Sequence, residues 1–240
     1  MTGFTHRGLH GQVVNALGAR IMRGELQPGQ SLDTDTLMFE FDVSRTVIRE
    51  ALRALTAKGL VDARPKHGTF VTERERWQLL DADVMNWRSS GSPDGRLVLE
   101  LDQVRVIIEP AAAALAATMR NDEQLEEISK ALAQLVTSHR ADSRIDHVDA
   151  DVAFHLAVLA ASGNELLTHF EVVLEPAIRA RHELALEHLT GHEYLDAHRG
   201  VYEAIAEGSA ESARAQMTEL MTRSAQDIEE ILQTGSHATT

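Results

Sequence analysis

The chain contains no cysteine. That excludes a disulfide framework and any metal site built from thiolates. It has no run of 18 apolar residues, so no membrane span is expected. Its first residues lack the charged, apolar and small-residue pattern of an export signal, which points to a cytoplasmic protein. There is no internal repeat and no low-complexity tract. Net positive charge is also missing: 23 Lys/Arg stand against 37 Asp/Glu, a net charge of −14. Such a total argues against nucleic acid as a partner, but the charge is unevenly spread. Residues 1–78 hold 11 basic and 9 acidic residues, a balance of +2, whereas residues 79–240 hold 12 and 28, a balance of −16. Positive charge concentrates further in 44–76, with 8 basic residues against 4 acidic. An acidic body with a basic head limits non-specific affinity for DNA while leaving the head attractive to it.

What is present is most informative at positions 43–61, VSRTVIREALRALTAKGLV. Ile48, Ala51, Leu52 and Leu55 recur at i, i+3, i+4 and i+7, which predicts a helix with a core-facing stripe. Arg45, Arg49 and Arg53 follow one another at i+4 on the other face, with Thr46 beside them. Ser44 is placed to cap the helix start. A helix seated by one face and offering arginines on the other suits a DNA major groove, where arginine binds phosphate or forks onto guanine. An ordinary solvated amphipathic helix would show the same periodicity, so the flanks decide. Upstream, a short helical segment at 33–41 and the turn Asp42-Val43-Ser44 complete a helix-turn-helix. Downstream, Arg64-Pro65-Lys66-His67-Gly68 leads into Thr69-Phe70-Val71-Thr72, a basic hairpin that reads as a wing. Lys66, His67 and Gly68 at its tip are candidate DNA contacts together with Ser44, Arg45, Thr46, Arg49 and Arg53.

These residues resemble the GntR family of transcription regulators, from Gly24-Glu25-Leu26-Gln27-Pro28-Gly29-Gln30 through Val43-Ser44-Arg45-Thr46, Arg49-Glu50-Ala51-Leu52 and Gly59-Leu60 to His67-Gly68-Thr69-Phe70-Val71. The family usually has Pro-Ser-Glu where this chain has Asp33-Thr34-Asp35, often arginine where it has Thr36, and often proline at Val47. Thr36 removes one DNA contact that the resemblance implies.

The remainder reads as helix only. Segments 96–119, 122–139, 145–161, 164–189, 192–207 and 209–233 carry helical periods, with a break expected near Pro176 and a kink or new first turn at Pro110. The expected fold is mainly α: a winged helix-turn-helix at 1–78, a linker at 79–95, an all-α bundle at 96–235 and a disordered tail at 236–240. Both tryptophans, Trp77 and Trp87, fall around the linker, so it is expected to pack.

Within the bundle Asp151 and His155 share a helix face, and His155 falls on the apolar stripe of Val148, Val152 and Leu159. His198 lies on another stripe with Val201, Tyr202 and Ile205. Buried ionisable groups need partners. A carboxylate with two imidazoles is a good divalent-metal set, and a core histidine bonded to a carboxylate without metal gives the same pattern. Arg105 flanks the stripe of the first bundle helix. A guanidinium fork there would suit a carboxylate effector, and an ion pair with Glu109 is the plainer alternative. Arg223 is a second candidate on the same logic.

Residues 97–233 resemble the all-helical FCD ligand-binding domain of the FadR subfamily, through Arg105, Glu109-Pro110-Ala111-Ala112-Ala113, Asp151, Phe154-His155, Ala161-Ser162-Gly163-Asn164, His198 and Ala213-Arg214-Ala215 before Met217. That resemblance implies one divalent ion (zinc, nickel or manganese) on Asp151, His155 and His198, with Leu220 where a fourth ligand, a histidine, is usual. It further implies a homodimer on double-stranded operator DNA, controlled by a small carboxylate, a sugar acid or organic acid. The segment Trp77-Gln78-Leu79-Leu80-Asp81 through Asp83-Val84 is similar to repressors of sugar-acid catabolism. Two other readings remain: an acyl-CoA or lipid sensor without metal, and a metalloenzyme, against which no separate general base stands out.

Overall fold

A computed structural model describes residues 8–65, 68–90, 95–140, 143–184 and 192–237. The chain divides into two compact units, 1–91 and 92–240.

The first unit holds α1 (Leu9–Met22), β1 (Ser31–Leu32), α2 (Thr34–Phe41), α3 (Arg45–Ala57), β2 (Val61–Arg64), β3 (Gly68–Val71) and α4 (Ala82–Ser89). Asp33 caps α2, its carboxylate accepting from the Thr36 amide at 2.8 Å. Asp42 ends that helix in the left-handed region at φ 49°, a conformation that asparagine and aspartate tolerate better than other side chains. The chain then turns into Ser44, whose hydroxyl accepts from Val47 N at 3.4 Å to start α3. The predicted stripe of Ile48, Ala51, Leu52 and Leu55 is buried against Leu17, Ile21, Leu60 and Val71. Each large side chain there stabilises by roughly 1.5–3 kcal/mol. Antiparallel β2 and β3 form the wing in the register Val61↔Val71 to Arg64↔Gly68, and β1 pairs on the other side of β3. Gly59 sits between α3 and β2 at φ 76°, and a Cβ there would collide with the Arg76 carbonyl oxygen. Only glycine fits that turn.

The expected linker is largely part of this unit. The Trp87 ring of α4 packs on Gly18 of α1, where a Cβ would run into the ring carbons. Trp87 Nε1 donates to Asn15 Oδ1 at 3.1 Å. Lys58, at the end of α3, is held by Asp81 at 2.8 Å and Asp83 at 2.6 Å. The wing-helix core therefore includes the stretch to Ser89.

The second unit is helical throughout its described residues: α5 (Gly95–Met119), α6 (Asp122–Arg140), α7 (Arg144–Ala161), α8 (Glu165–Thr168), α9 (Glu171–Leu184), α10 (His192–Ala206) and α11 (Ala210–His237). Two expectations are corrected in detail. The segment 164–189 breaks between Thr168 and Glu171 rather than at Pro176, which lies inside α9. Pro110 sits within an uninterrupted α5, so of the two outcomes expected there the new first turn does not occur. Proline cannot donate to the carbonyl four residues back, but each of these helices is long enough to carry one missing bond when packing compensates. The last helix runs to His237, past the expected start of the tail at 236; residues 238–240 lie outside the described residues.

Candidate metal centre and reading helix

On α3, Ser44, Arg45, Thr46, Arg49 and Arg53 are all exposed. Arg45 is paired with Asp35 of α2, and Arg53 with Glu50 at 2.6 Å. The buried stripe behind them fixes which way this row faces. Gly68 opens β3 at φ 73°. Lys66 and His67 lie outside the described residues.

In the bundle the structure brings Asp151, His155 and His198 together, all buried, with one ligand atom from each within 4.8 Å of the others. Helices α7 and α10 supply them. Asp151 Oδ1 lies 3.5 Å from His155 Nε2 and 3.1 Å from His198 Nε2. The far edge of each ring is also held. His155 Nδ1 meets the Glu109 carboxylate of α5, and His198 Nδ1 lies 2.8 Å from the Tyr194 carbonyl oxygen. Acceptors at both Nδ1 atoms fix the proton there, which leaves each Nε2 free as a ligand. Phe154 packs edge-on against both rings.

The electrostatics follow from this arrangement. Burial alone would raise the Asp151 carboxyl, yet contacts from His155, His182 and His198 hold it well below the usual range. Burial works against the Glu109 charge in the same way, and Arg105 and His155 bring its pKa down to about 2. Burial pulls His155 down, but Glu109 and Asp151 outweigh it and raise the imidazole. For His198 burial wins, and the pKa is lowered despite Asp151. His198 thus stands neutral between two acceptors with a single N–H to give. One of its two contacts must set a lone pair against an oxygen. A divalent cation between Nε2 and Asp151 Oδ1 would remove that conflict, so the donor set fits a metal.

The family models of two domains match this chain: the gntR family of bacterial regulatory proteins over residues 9–71, and the FCD domain over 100–223. A transcriptional regulator of Bacillus subtilis, LutR, is 35% identical over 88% of this chain and 95% of its own. The galactonate operon transcriptional repressor of Escherichia coli is 29% identical over 92% and 96%. The chain belongs to the GntR family. Its FCD domain places it in the FadR-like branch, and it is a DNA-binding transcription regulator rather than an enzyme. The Lar regulator of Listeria monocytogenes shares the fold, with a TM-score of 0.64 at 22% identity over 95% of this chain and 99% of that one. No helix among the described residues of this GntR regulator is long and apolar enough to cross a membrane.

The effector candidates separate. Arg105 of α5 is buried at the centre, its Nε donating to Glu109 at 2.7 Å and its Nη2 lying 3.5 Å from His155 Nε2. The ion pair with Glu109 and a place beside the donor set are therefore both realised. Arg223 is not brought to the centre: its guanidinium is on the exposed face of α11, held by Glu219 at 2.6 Å. Leu220 is buried in the apolar cluster that also holds Met217, Met221 and Phe154, and its side chain offers no fourth ligand.

Sequence reasoning missed His182 of α9. Its Nε2 lies 2.8 Å from Asp151 Oδ2, the oxygen that the other two imidazoles leave. The signal was available, since His182 follows Leu174 and Ile178 at i+8 and i+4 on a buried stripe. His147 was missed too. It precedes Asp151 by one turn, its ring centroid lies 5.5 Å from that of His182, and burial lowers its pKa to about 4.

Proposed function

We propose that this regulator is a homodimeric repressor of an operon for sugar-acid or organic-acid catabolism, released from operator DNA by a small carboxylate bound at a metal centre in its bundle. The observation that carries the reading is His198, neutral and buried between two acceptors beside Asp151. One divalent ion, zinc, nickel or manganese, would be held by Asp151, His155 and His198. When bound, it supplies a Lewis-acidic point to which a carboxylate and a neighbouring hydroxyl can attach.

The chain's own residues supply the rest. Asp151 turns one oxygen to the two ligand histidines and the other to His182. Glu109 orients His155, and the Tyr194 carbonyl orients His198. Arg105 stands beside the same centre with a charge that a carboxylate would match. Because α5, α7, α9 and α10 all contribute, a ligand there acts on several helices at once. On the DNA side, two copies of α3 would read two half-sites of a palindrome, since a two-fold dimer matches a two-fold operator. Such a reader works where the chromosome is, in the cytoplasm.

The test joins both ends. An operator is obtained by selection from random DNA, and binding is measured with and without galactonate in nickel-loaded protein. Arg45→Ala and Arg49→Ala should each weaken the complex by about 1–3 kcal/mol, the value of one bidentate arginine–base pair. Galactonate should release wild-type protein and leave His155→Ala on the DNA. If both arginine variants bind like wild type, α3 is not the reading helix. If long-chain acyl-CoA acts and acids do not, the lipid-sensor reading replaces this one.

A further inference from the structure

Among the described residues, six buried side-chain polar atoms have no hydrogen-bond partner, and five of them are Asp102 Oδ2, Arg105 Nη1, Arg181 Nε, Tyr194 Oη and Ser224 Oγ. They come from α5, α9, α10 and α11. Folded proteins rarely leave such atoms unmatched, because each has given up water and received nothing. Their grouping is what makes them informative.

Arg105 Nη1 is 3.6 Å from Asp102 Oδ1, too far for a hydrogen bond. Burial raises the Asp102 carboxyl, and both Arg105 and Arg181 are near enough for their charges to pull against that rise. Arg181 reaches Asp227 through Nη2 at 3.4 Å and leaves Nε unused. Ser224 precedes Asp227 by three residues and so shares its face of α11. The Tyr194 ring lies tilted against that of His198, their centroids 4.4 Å apart. Tyr194 thereby joins this group to the metal donors.

We infer that Asp102, Arg181, Tyr194 and Ser224 form a second polar subsite in the bundle core, which takes the hydroxyl-bearing chain of a polyhydroxy acid whose carboxylate end lies at Asp151, His155, His198 and Arg105. This rests on the carboxylate-effector reading above and deepens it. The chemistry selects the ligand class. Arg105 Nη1 and Arg181 Nε can only donate, Asp102 Oδ2 stands beside them as an acceptor, and the two side-chain hydroxyls do either. A row of alcohols matches that mixture, because each alcohol donates and accepts. An alkyl chain would leave all five atoms unmatched. A second carboxylate would meet Glu109 and Asp227, which already pair with the two arginines. A short hydroxy acid would fill the metal end and leave the subsite unmatched.

The experiment is calorimetric titration of the full-length protein in excess nickel with glycolate, gluconate and galactonate. Wild type, Ser224→Ala and Tyr194→Phe are compared, and each variant deletes one hydroxyl. At least one aldonate should bind wild type about tenfold or more tightly than glycolate, since a site built for hydroxyls rejects the analogue without them. Each variant should lose about tenfold for that aldonate, a change of the size expected for one hydrogen bond, and Ser224→Ala should lose nothing for glycolate. The ligand-free melting temperature should not fall in Ser224→Ala, because the deleted hydroxyl has no hydrogen-bond partner. Equal loss for both acid types in Ser224→Ala, no aldonate loss in either variant, glycolate binding as tightly as the aldonates, or a lowered ligand-free melting temperature of Ser224→Ala would each overturn the subsite. If no acid binds wild type, the carboxylate-effector reading falls and takes the subsite with it.

Discussion

At the scale of the residue, the bundle centre is a study in what one carboxylate can hold. Asp151 receives three imidazoles, and two of them were legible in the sequence because they stand on apolar stripes at recognisable positions. His182 shows the same stripe signal but lies 31 residues from Asp151, and spacing within one helix says nothing about a partner on another. Its contribution is to hold Asp151 Oδ2 so that Oδ1 faces the donor pair. His182→Leu should therefore weaken nickel affinity by about 10–100-fold, the usual cost of removing a group that orients a ligand, whereas His182→Gln should recover part of the loss because its amide can donate from a similar position. Competition titration against a chromogenic chelator measures both, and equal affinity in all three proteins would sink the idea. His147 yields a pH prediction. Burial lowers its pKa to about 4 in the folded protein against 6.5 unfolded. The unfolded chain then takes up a proton first as pH falls, so the contribution is present above pH 6.5 and lost as pH drops towards 4. At most about 3 kcal/mol is at stake. In metal-free protein, His147→Phe should show a shallower loss of stability across that window, read from urea unfolding at several pH values.

At the scale of the element, α3 was legible because three independent features agree: an apolar period, a serine cap and a basic opposite face. The buried stripe is the one expected, Ile48, Ala51, Leu52 and Leu55. The helix breaks of the bundle were less legible. Proline is a strong breaker on average, yet Pro110 and Pro176 sit inside helices, while the true break after Thr168 is marked only by a short turn. Tertiary packing decides such cases, and packing is not written in local sequence. The fate of α4 turns on a similar point. Gly18 reads as an ordinary weak point in α1, but its missing side chain is what admits the Trp87 ring. Gly18→Ala should gain a little helix propensity and lose the docking of α4. Overpacking of this kind costs typically about 1–3 kcal/mol. The expected result is a lower melting temperature of the N-terminal unit and altered near-ultraviolet dichroism of tryptophan. A higher melting temperature would mean that α4 does not need this seat.

At the scale of the whole molecule, the chain joins a weakly basic reader to a strongly acidic body, and that asymmetry was fully visible in composition. It predicts steep salt dependence of operator binding. If Arg53 contacts phosphate, Arg53→Ala should flatten the slope of log affinity against log salt by about 1 for each subunit. An unchanged slope with weaker binding would instead assign Arg53 to a base. One further consequence is optical. Trp77 and Trp87 are the only tryptophans of the chain, and both belong to the N-terminal unit; the bundle carries Tyr194 and Tyr202 but no tryptophan. Emission excited at the red edge of the absorption band, where tyrosine is silent, therefore comes from the reading unit alone. The bundle's own sequence offers a metal or acid no indole. Should tryptophan colour or anisotropy change when such a ligand is added, the reading unit has sensed the ligand, and the protein is its own reporter of that response.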